Sequence, residues 1–233
     1  NWLERQIVPG AQIGLSWGST AQAVVDLARF ERRIDATVVQ LAGEVSFPGV
    51  QPAYELVRKL SEKLGASYHY LSVPASAPSK EVAEMLISST NLSESLARAG
   101  ESDIALLGVG ALGSGSTDAF LRIARATADE MREARRVGVV GQLSSLLFTH
   151  DGRVADISLN DRLFSVSLDH IRRIPQVALV AEGLIRDAGG TGVQLLVLPA
   201  ALALAQAGLG WYVGREQQVQ LIPSSNSGGS SGE

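Results

Sequence analysis

The chain has 233 residues, of which 45% are hydrophobic and 19% charged, and a formal net charge of −4. These proportions suit one sizeable folded α/β domain and exclude a disordered chain, and the scattered arginines and lysines build no basic face for gripping nucleic acid. Zero cysteines exclude disulfides and thiolate metal sites, and no apolar run is long enough to span a membrane, so a cytoplasmic location with no membrane partner is expected.

The opening NWLERQIVPG has neither the basic nor the apolar segment of a secretion signal. Trp2, Leu3 and Ile7 read as the last turns of a helix that begins upstream. Strand-length apolar runs then recur at AQIGLS (11–16), ATVVQLA (36–42), SYHYLSV (67–73), DIALLGV (103–109), RVGVVG (136–141), QVALVAEG (176–183) and VQLLVLP (193–199). Segments of helical periodicity separate most of them. Ala21, Val24, Val25 and Ala28 form one apolar stripe, and Leu56, Leu60 and Leu64 form another that Gly65 ends. TDAFLRIARATADEMREARR (117–136) predicts one long amphipathic helix with Thr117 as its N-cap. Asp151-Gly152 between short apolar runs predicts a hairpin. The alternation argues for a Rossmann-like, doubly wound α/β domain over residues 1–223, with a mainly parallel sheet, helices on both faces and a small hairpin insertion. SSNSGGSSGE (224–233) reads as a flexible tail or cloning remnant.

In open α/β sheets, ligands bind at the carboxyl ends of strands, where helix N-termini present unpaired N–H groups and a positive dipole end. GLSWGST (14–20) falls at such a place. Gly14 and Gly18 let the backbone approach a ligand, and Ser16, Ser19 and Thr20 add hydroxyl groups, a set matched to a phosphate. The competing reading is a tight turn at Gly18 with Ser19 or Thr20 capping the helix. Neither G-x-x-x-x-G-K-[ST] nor G-x-G-x-x-G is present, which removes most support for ATP or a dinucleotide, and no cofactor is expected.

IGLSWGST resembles the G-x-S-x-G-x-T loop that opens the effector-binding domain of SorC-type sugar-binding transcriptional regulators. VVQLAGE (38–44), LSVPA (71–75), DIALLGVG (103–110), VGVVGQL (137–143), LFTHDGRV (147–154) and IPQVALVAEG (174–183) follow in that family's order. The resemblance implies a fold related to ribose-5-phosphate isomerase and glucosamine-6-phosphate deaminase, and a sensor with no catalysis of its own. A phosphorylated sugar would bind it and alter the operator affinity of an upstream helix-turn-helix domain, usually in a homodimer or homotetramer; operator DNA would be a partner only through that domain. Carried over by position, Ser16, Gly18, Ser19 and Thr20 would hold the phosphate and Gln40 the sugar hydroxyls, while Gly43, Gly108 and Gly110 would give clearance. Trp17 would form a wall of the sugar pocket or pack the following helix. Several positions depart from the family pattern. Glu44 stands where a second Gly is common, Gln142 where a carboxylate binds sugar, and Arg186 near a customary Lys; Gln142 and Arg186 are expected at the far wall.

Two other classes compete. The loop also resembles that of ribose-5-phosphate isomerase, but the acidic and Lys-Gly-rich stretches of that enzyme are missing. Of three lysines, Lys59 and Lys63 read as the solvated face of a helix. A ligand-free assembly module would instead use apolar surface around Leu202, Leu204, Leu209 and Trp211. His69, His150 and His170 share no metal-ligand spacing, and Glu101, Asp103, Asp118 and Asp129 read as strand-end or solvated groups.

Overall fold

The computed structural model describes residues 2–46, 48–89, 91–113, 115–185, 190–198 and 220–222. After a short helix α1 (Trp2–Gln6), strand β1 (Ala11–Leu15) leads to α2 (Ser19–Leu27), β2 (Ala36–Gln40), α3 (Ala53–Leu64) and β3 (Ser67–His69). Helices α4 (Lys80–Ser89) and α5 (Leu92–Ala99) precede β4 (Ile104–Ala111), followed by α6 (Gly115–Ile123) and α7 (Ala128–Val137). Next come β5 (Val139–Leu143), β6 (Leu146–Thr149), a 3-10 turn at Asn160–Arg162, and α8 (Leu168–Ile171). The described elements close with β7 (Gln176–Ile185), β8 (Gly190–Leu198) and β9 (Gln220–Ile222). The strand order is β3-β2-β1-β4-β7-β8-β9. The first five of these run parallel, while β8 and β9 are antiparallel additions.

Period-two alternation sorts the strand residues between two cores. On one face Ile13, Leu15, Val38, Ile104 and Leu106 pack against Ala21 and Val25 of α2 and Leu56, Val57, Leu60 and Leu64 of α3. On the other, Val39, Ala105 and Leu107 meet Trp17, Phe120 and Leu121, with the β5–β6 hairpin and residues 155–174 completing the layer. Helices therefore cover both faces, as the alternation predicts. Helix α3 also grips α2 at its far end: Lys63 Nζ donates to the carbonyls of Val25 (2.6 Å), Asp26 (2.8 Å) and Ala28 (3.0 Å), and Lys59 pairs with Asp26. The expectation of two merely solvated lysines is corrected, because the open carbonyls at the end of α2 attract a cation.

The predicted helix over 117–136 is two helices. Arg125 adopts φ 51°, and Thr127 starts α7 with a reciprocal capping box: Thr127 Oγ1 accepts from Glu130 N while Glu130 accepts from Thr127 N. Thr117 is thus no N-cap but sits inside α6, fully buried. The hairpin at Asp151-Gly152 is present, closed by an antiparallel bridge between Phe148 and Val154. SYHYLSV pairs only over Ser67–His69, the outermost strand in the sheet order. No described helix is long and apolar enough to cross a membrane.

Candidate functional site

The carboxyl ends of β1, β2 and β4 meet at the loop that opens α2. Strand β1 continues one residue past its end, Ser16 N donating to Leu106 O (3.0 Å), before the chain turns at Gly18. Gly18 has φ 126° and ψ 161°, a region open essentially only to glycine. It is buried, yet a Cβ there would meet no heavy atom within 4 Å beyond its chain neighbours. It serves as the N-cap of α2 with no side-chain hydrogen bond to the helix, and the first turn of α2 contains no acidic residue. The first N–H groups of a helix have no intrahelical acceptor, so the start of α2 joins unclaimed donors, a positive dipole end and an open side at Gly18. Ser19 is half-buried and Thr20 buried at the same turn. The capped-turn reading, in which Ser19 or Thr20 satisfies the helix, does not describe this geometry.

The remaining sequence-predicted residues divide by what they touch. Ser16 is buried and its Oγ lies 3.1 Å from Ser144 Oγ. Trp17 is buried; its ring packs on Phe120 at 5.1 Å between centroids and its Nε1 donates to Ser145 Oγ (3.1 Å). Gln40 is buried at the end of β2, donating to Ala42 O (2.6 Å) and accepting from Leu71 N (3.3 Å). Gln142 is buried and its amide donates to Ser144 O. A Cβ on Gly14 would lie 2.6 Å from the Leu41 side chain, and one on Gly43 would lie 2.2 Å from Pro74 O, so both glycines admit neighbouring protein. Gly108 is different: a Cβ there would point at Trp17 O (3.2 Å) and Thr20 Oγ1 (3.4 Å), into the loop itself. Gly110 sits opposite Gln142 in the β4–β5 ladder. Arg186, Leu202, Leu204, Leu209, Trp211 and residues 224–233 lie outside the described residues.

Of three further features, Ser144 and Ser145 carry no sequence signal, whereas the sequence points to Thr117 only as an N-cap and to Glu44 only as a departure from the family pattern. Ser144 and Ser145 form the turn of the β5–β6 hairpin, which doubles back antiparallel on β4 and brings both hydroxyls onto Ser16 and Trp17. Thr117, one helical turn before Phe120, carries a buried Oγ1 without a hydrogen-bond partner. Glu44 is half-buried beyond the end of β2, and its two carboxylate oxygens accept from Ala53 N (2.8 Å) and Tyr54 N (3.1 Å), the first residues of α3. Burial pushes the Glu44 carboxyl above its ordinary pKa, with the backbone N–H groups of Tyr54 and Ala53 opposing.

Among the described residues no group of His, Asp and Glu could hold a metal ion. His69 and His150 are exposed, and His170 Nδ1 lies 2.8 Å from Ser167 Oγ in a helix cap. Lys80, the third lysine, pairs with Asp161 (3.1 Å).

This is a Rossmann-like sheet whose carboxyl edge carries a helix start without a side-chain cap, hydroxyls and closely approaching backbone, the arrangement of small-ligand-binding α/β domains. Residues 1–189 match the model of the Sugar-bind family of sugar-binding domains, and the chain belongs to that family. It is 24% identical over 183 residues to the deoxyribonucleoside regulator of Bacillus subtilis strain 168, covering 78% of this chain and 58% of that protein. The chain therefore spans little more than half the length of that curated relative. Among solved structures it is similar to a DeoR family transcriptional regulator from Listeria monocytogenes (26% identity, TM-score 0.69, covering 89% of this chain and 76% of that one). It also shares the fold of the full-length sorbitol operon regulator SorC from Klebsiella pneumoniae (19% identity, TM-score 0.66, covering 76% and 57%). The chain is thus a sugar-binding domain of the kind found in transcriptional regulators.

Proposed function

We propose that this domain binds a phosphorylated sugar at the Ser16–Thr20 loop and, as part of a longer cytoplasmic protein, alters the operator affinity of an attached DNA-binding domain in a homo-oligomer. The observation that carries the reading is the start of α2, entered through buried Gly18 with neither a side-chain cap nor an acidic residue in its first turn. Phosphate oxygens accept from the free N–H groups there, with the Ser19 and Thr20 hydroxyls as further donors. Gly108 lets the loop lie close on β4, since a Cβ there would meet Trp17 O at 3.2 Å and Thr20 Oγ1 at 3.4 Å. Ser16, Trp17, Gln40 and Gln142 hold the loop, the β2 end and the hairpin in place through the hydrogen bonds given above. All three lysines hold structural partners, which supports sensing over isomerase chemistry, since the latter needs a carboxylate and a lysine at the reacting carbon.

A thermal-shift screen against sugar phosphates tests this. An effector at about one hundred times its Kd stabilises the fold by about 2.7 kcal/mol, and Thr20→Val, which keeps shape and removes a hydroxyl, weakens that shift. No shift with any phosphorylated sugar overturns the phosphate reading. Formation of a ketose from ribose 5-phosphate by the pure protein would overturn the non-catalytic one.

A further inference from the structure

The two helices that start at this edge are tied together. Strands β1 and β2 are parallel neighbours with Leu15 opposite Gln40, so α2 and α3 begin at the same side of the sheet. Gln51 N, two residues ahead of α3, donates to Gln22 Oε1 in the opening turns of α2 (2.9 Å). Each start is a place where an anion is stabilised by free N–H groups and the helix dipole. They differ in charge. The α2 start has no acidic group. The α3 start carries the Glu44 carboxylate on its first two N–H groups, with Glu55 in its first turn adding a second negative charge.

We infer that Glu44 sets the charge of the effector: it fills the second helix start with a carboxylate of the protein's own, so that the site takes a sugar with one phosphate and disfavours a bisphosphate. This rests on the reading of the α2 start as the phosphate position. A second phosphate directed toward α3 would displace Glu44 from Ala53 and Tyr54 or lie beside it, and like charges at that range repel. Two residues ahead of α3, on the residue whose N–H reaches Gln22, the buried Oε1 of Gln51 has no hydrogen-bond partner. It is an acceptor, suited to a sugar hydroxyl and unsuited to a phosphate oxygen. From α2 toward α3 the surroundings thus change from donors to acceptors, the order in which a monophosphate presents its anionic and hydroxyl ends.

Calorimetric titration of the wild-type chain, Glu44→Gln and Glu44→Gly with paired ligands tests the inference. The pairs are fructose 6-phosphate with fructose 1,6-bisphosphate, and glucose 6-phosphate with glucose 1,6-bisphosphate. Glu44→Gln keeps an acceptor for α3 and removes the charge, Glu44→Gly removes both, and circular dichroism verifies that each variant folds. Wild type should bind the better monophosphate at least about tenfold more tightly than its bisphosphate. Both variants should lose most of that preference by gaining bisphosphate affinity while keeping monophosphate affinity. Equal wild-type affinities, or a preference unchanged in the folded variants, overturns the role of Glu44 and leaves the phosphate reading standing. Binding of neither class overturns the phosphate reading and this inference with it.

Discussion

The hydroxyl oxygens of Ser16 and Ser144 lie 3.1 Å apart although 128 residues separate them in the chain. The contact joins the end of β1 to the turn of the β5–β6 hairpin, and Trp17 repeats it next door through Ser145. The loop that opens α2 is therefore held from behind by the hydroxyls of the hairpin turn, which restrict its backbone. Such a site loses little ordering entropy on binding.

Ser144 occupies a left-handed conformation, φ 59°, which costs a non-glycine residue of order 1 kcal/mol and persists where contacts over-determine it. Ser144→Ala keeps the strain and leaves Ser16 without its partner, so it should cost about 1–2 kcal/mol. Ser144→Gly loses the same bond but relieves the strain, and should be about 1 kcal/mol more stable than the alanine variant. Urea denaturation of the two variants measures the difference. The reverse order would mean that strain at this turn is not significant.

The parts of the fold legible in the sequence are those where one local signal decides. Strands β1, β2, β4 and β7 are apolar runs because both faces of a parallel sheet are covered, and Asp151-Gly152 marks its turn by residue type. The split of the long helix was also written in the chain, as the Thr127-x-x-Glu130 capping box, but apolar periodicity runs through the break and hides it. Ser144-Ser145 carries no turn signature, since serine rarely takes a left-handed turn and the conformation is imposed by distant partners. The same holds at the site. The glycines and hydroxyls of the loop announce a close approach, but only the fold distinguishes Gly18, which faces open space, from Gly14, Gly43 and Gly108, which make room for Leu41, Pro74 and the loop backbone at Trp17. Glu44 as the cap of a helix nine residues away is likewise a tertiary fact.

Arg162 and Glu130 form a buried ion pair, Nε to Oε1 at 2.8 Å and Nη2 to Oε2 at 3.0 Å, and Arg162 also donates to the carbonyls of Ala77 and Ala124, both at 2.8 Å. Removing one partner strands a buried charge, so Arg162→Met should cost about 3–5 kcal/mol by chemical denaturation. Burial alone would raise the Glu130 carboxyl, but Arg162 and Thr127 hold it below its ordinary value. A depressed folded pKa contributes stability that is fully present above the unfolded carboxylate pKa and lost as pH falls through the folded one. Wild type should therefore lose stability on acidification below about pH 4.5 more steeply than Glu130→Gln. Identical acid slopes would show that Glu130 does not supply this linkage.

Gly43 and Gly18 should respond differently to alanine. At Gly43 the new Cβ would stand 2.2 Å from Pro74 O and 2.6 Å from Pro74 C, backbone atoms that cannot swing aside. Gly43→Ala should cost about 3 kcal/mol or prevent folding. At Gly18 there is space and only the backbone conformation objects, so Gly18→Ala should fold with a loss of about 1–3 kcal/mol. Thermal denaturation orders the pair. In the sugar-phosphate screen, Gly18→Ala should also lose the ligand shift, because the methyl group projects into the open side of the loop.

Lys63 offers a way to separate the stability of α2 from its proposed role. Its ammonium group holds three carbonyls at the C-terminal end of the helix, the end opposite the proposed phosphate position. Lys63→Met keeps the aliphatic stem and removes the donors, and water recovers part of the loss at this partly exposed end. The expected cost is about 1–2 kcal/mol, or a fall in Tm of roughly 2–8 °C for a domain of this size. The increase in Tm produced by a sugar phosphate should remain close to that of wild type, since the N–H groups at the start of α2 are unchanged. Loss of both together would mean that the lysine clamp positions the whole helix, and that the phosphate site depends on α3 holding α2 at its far end.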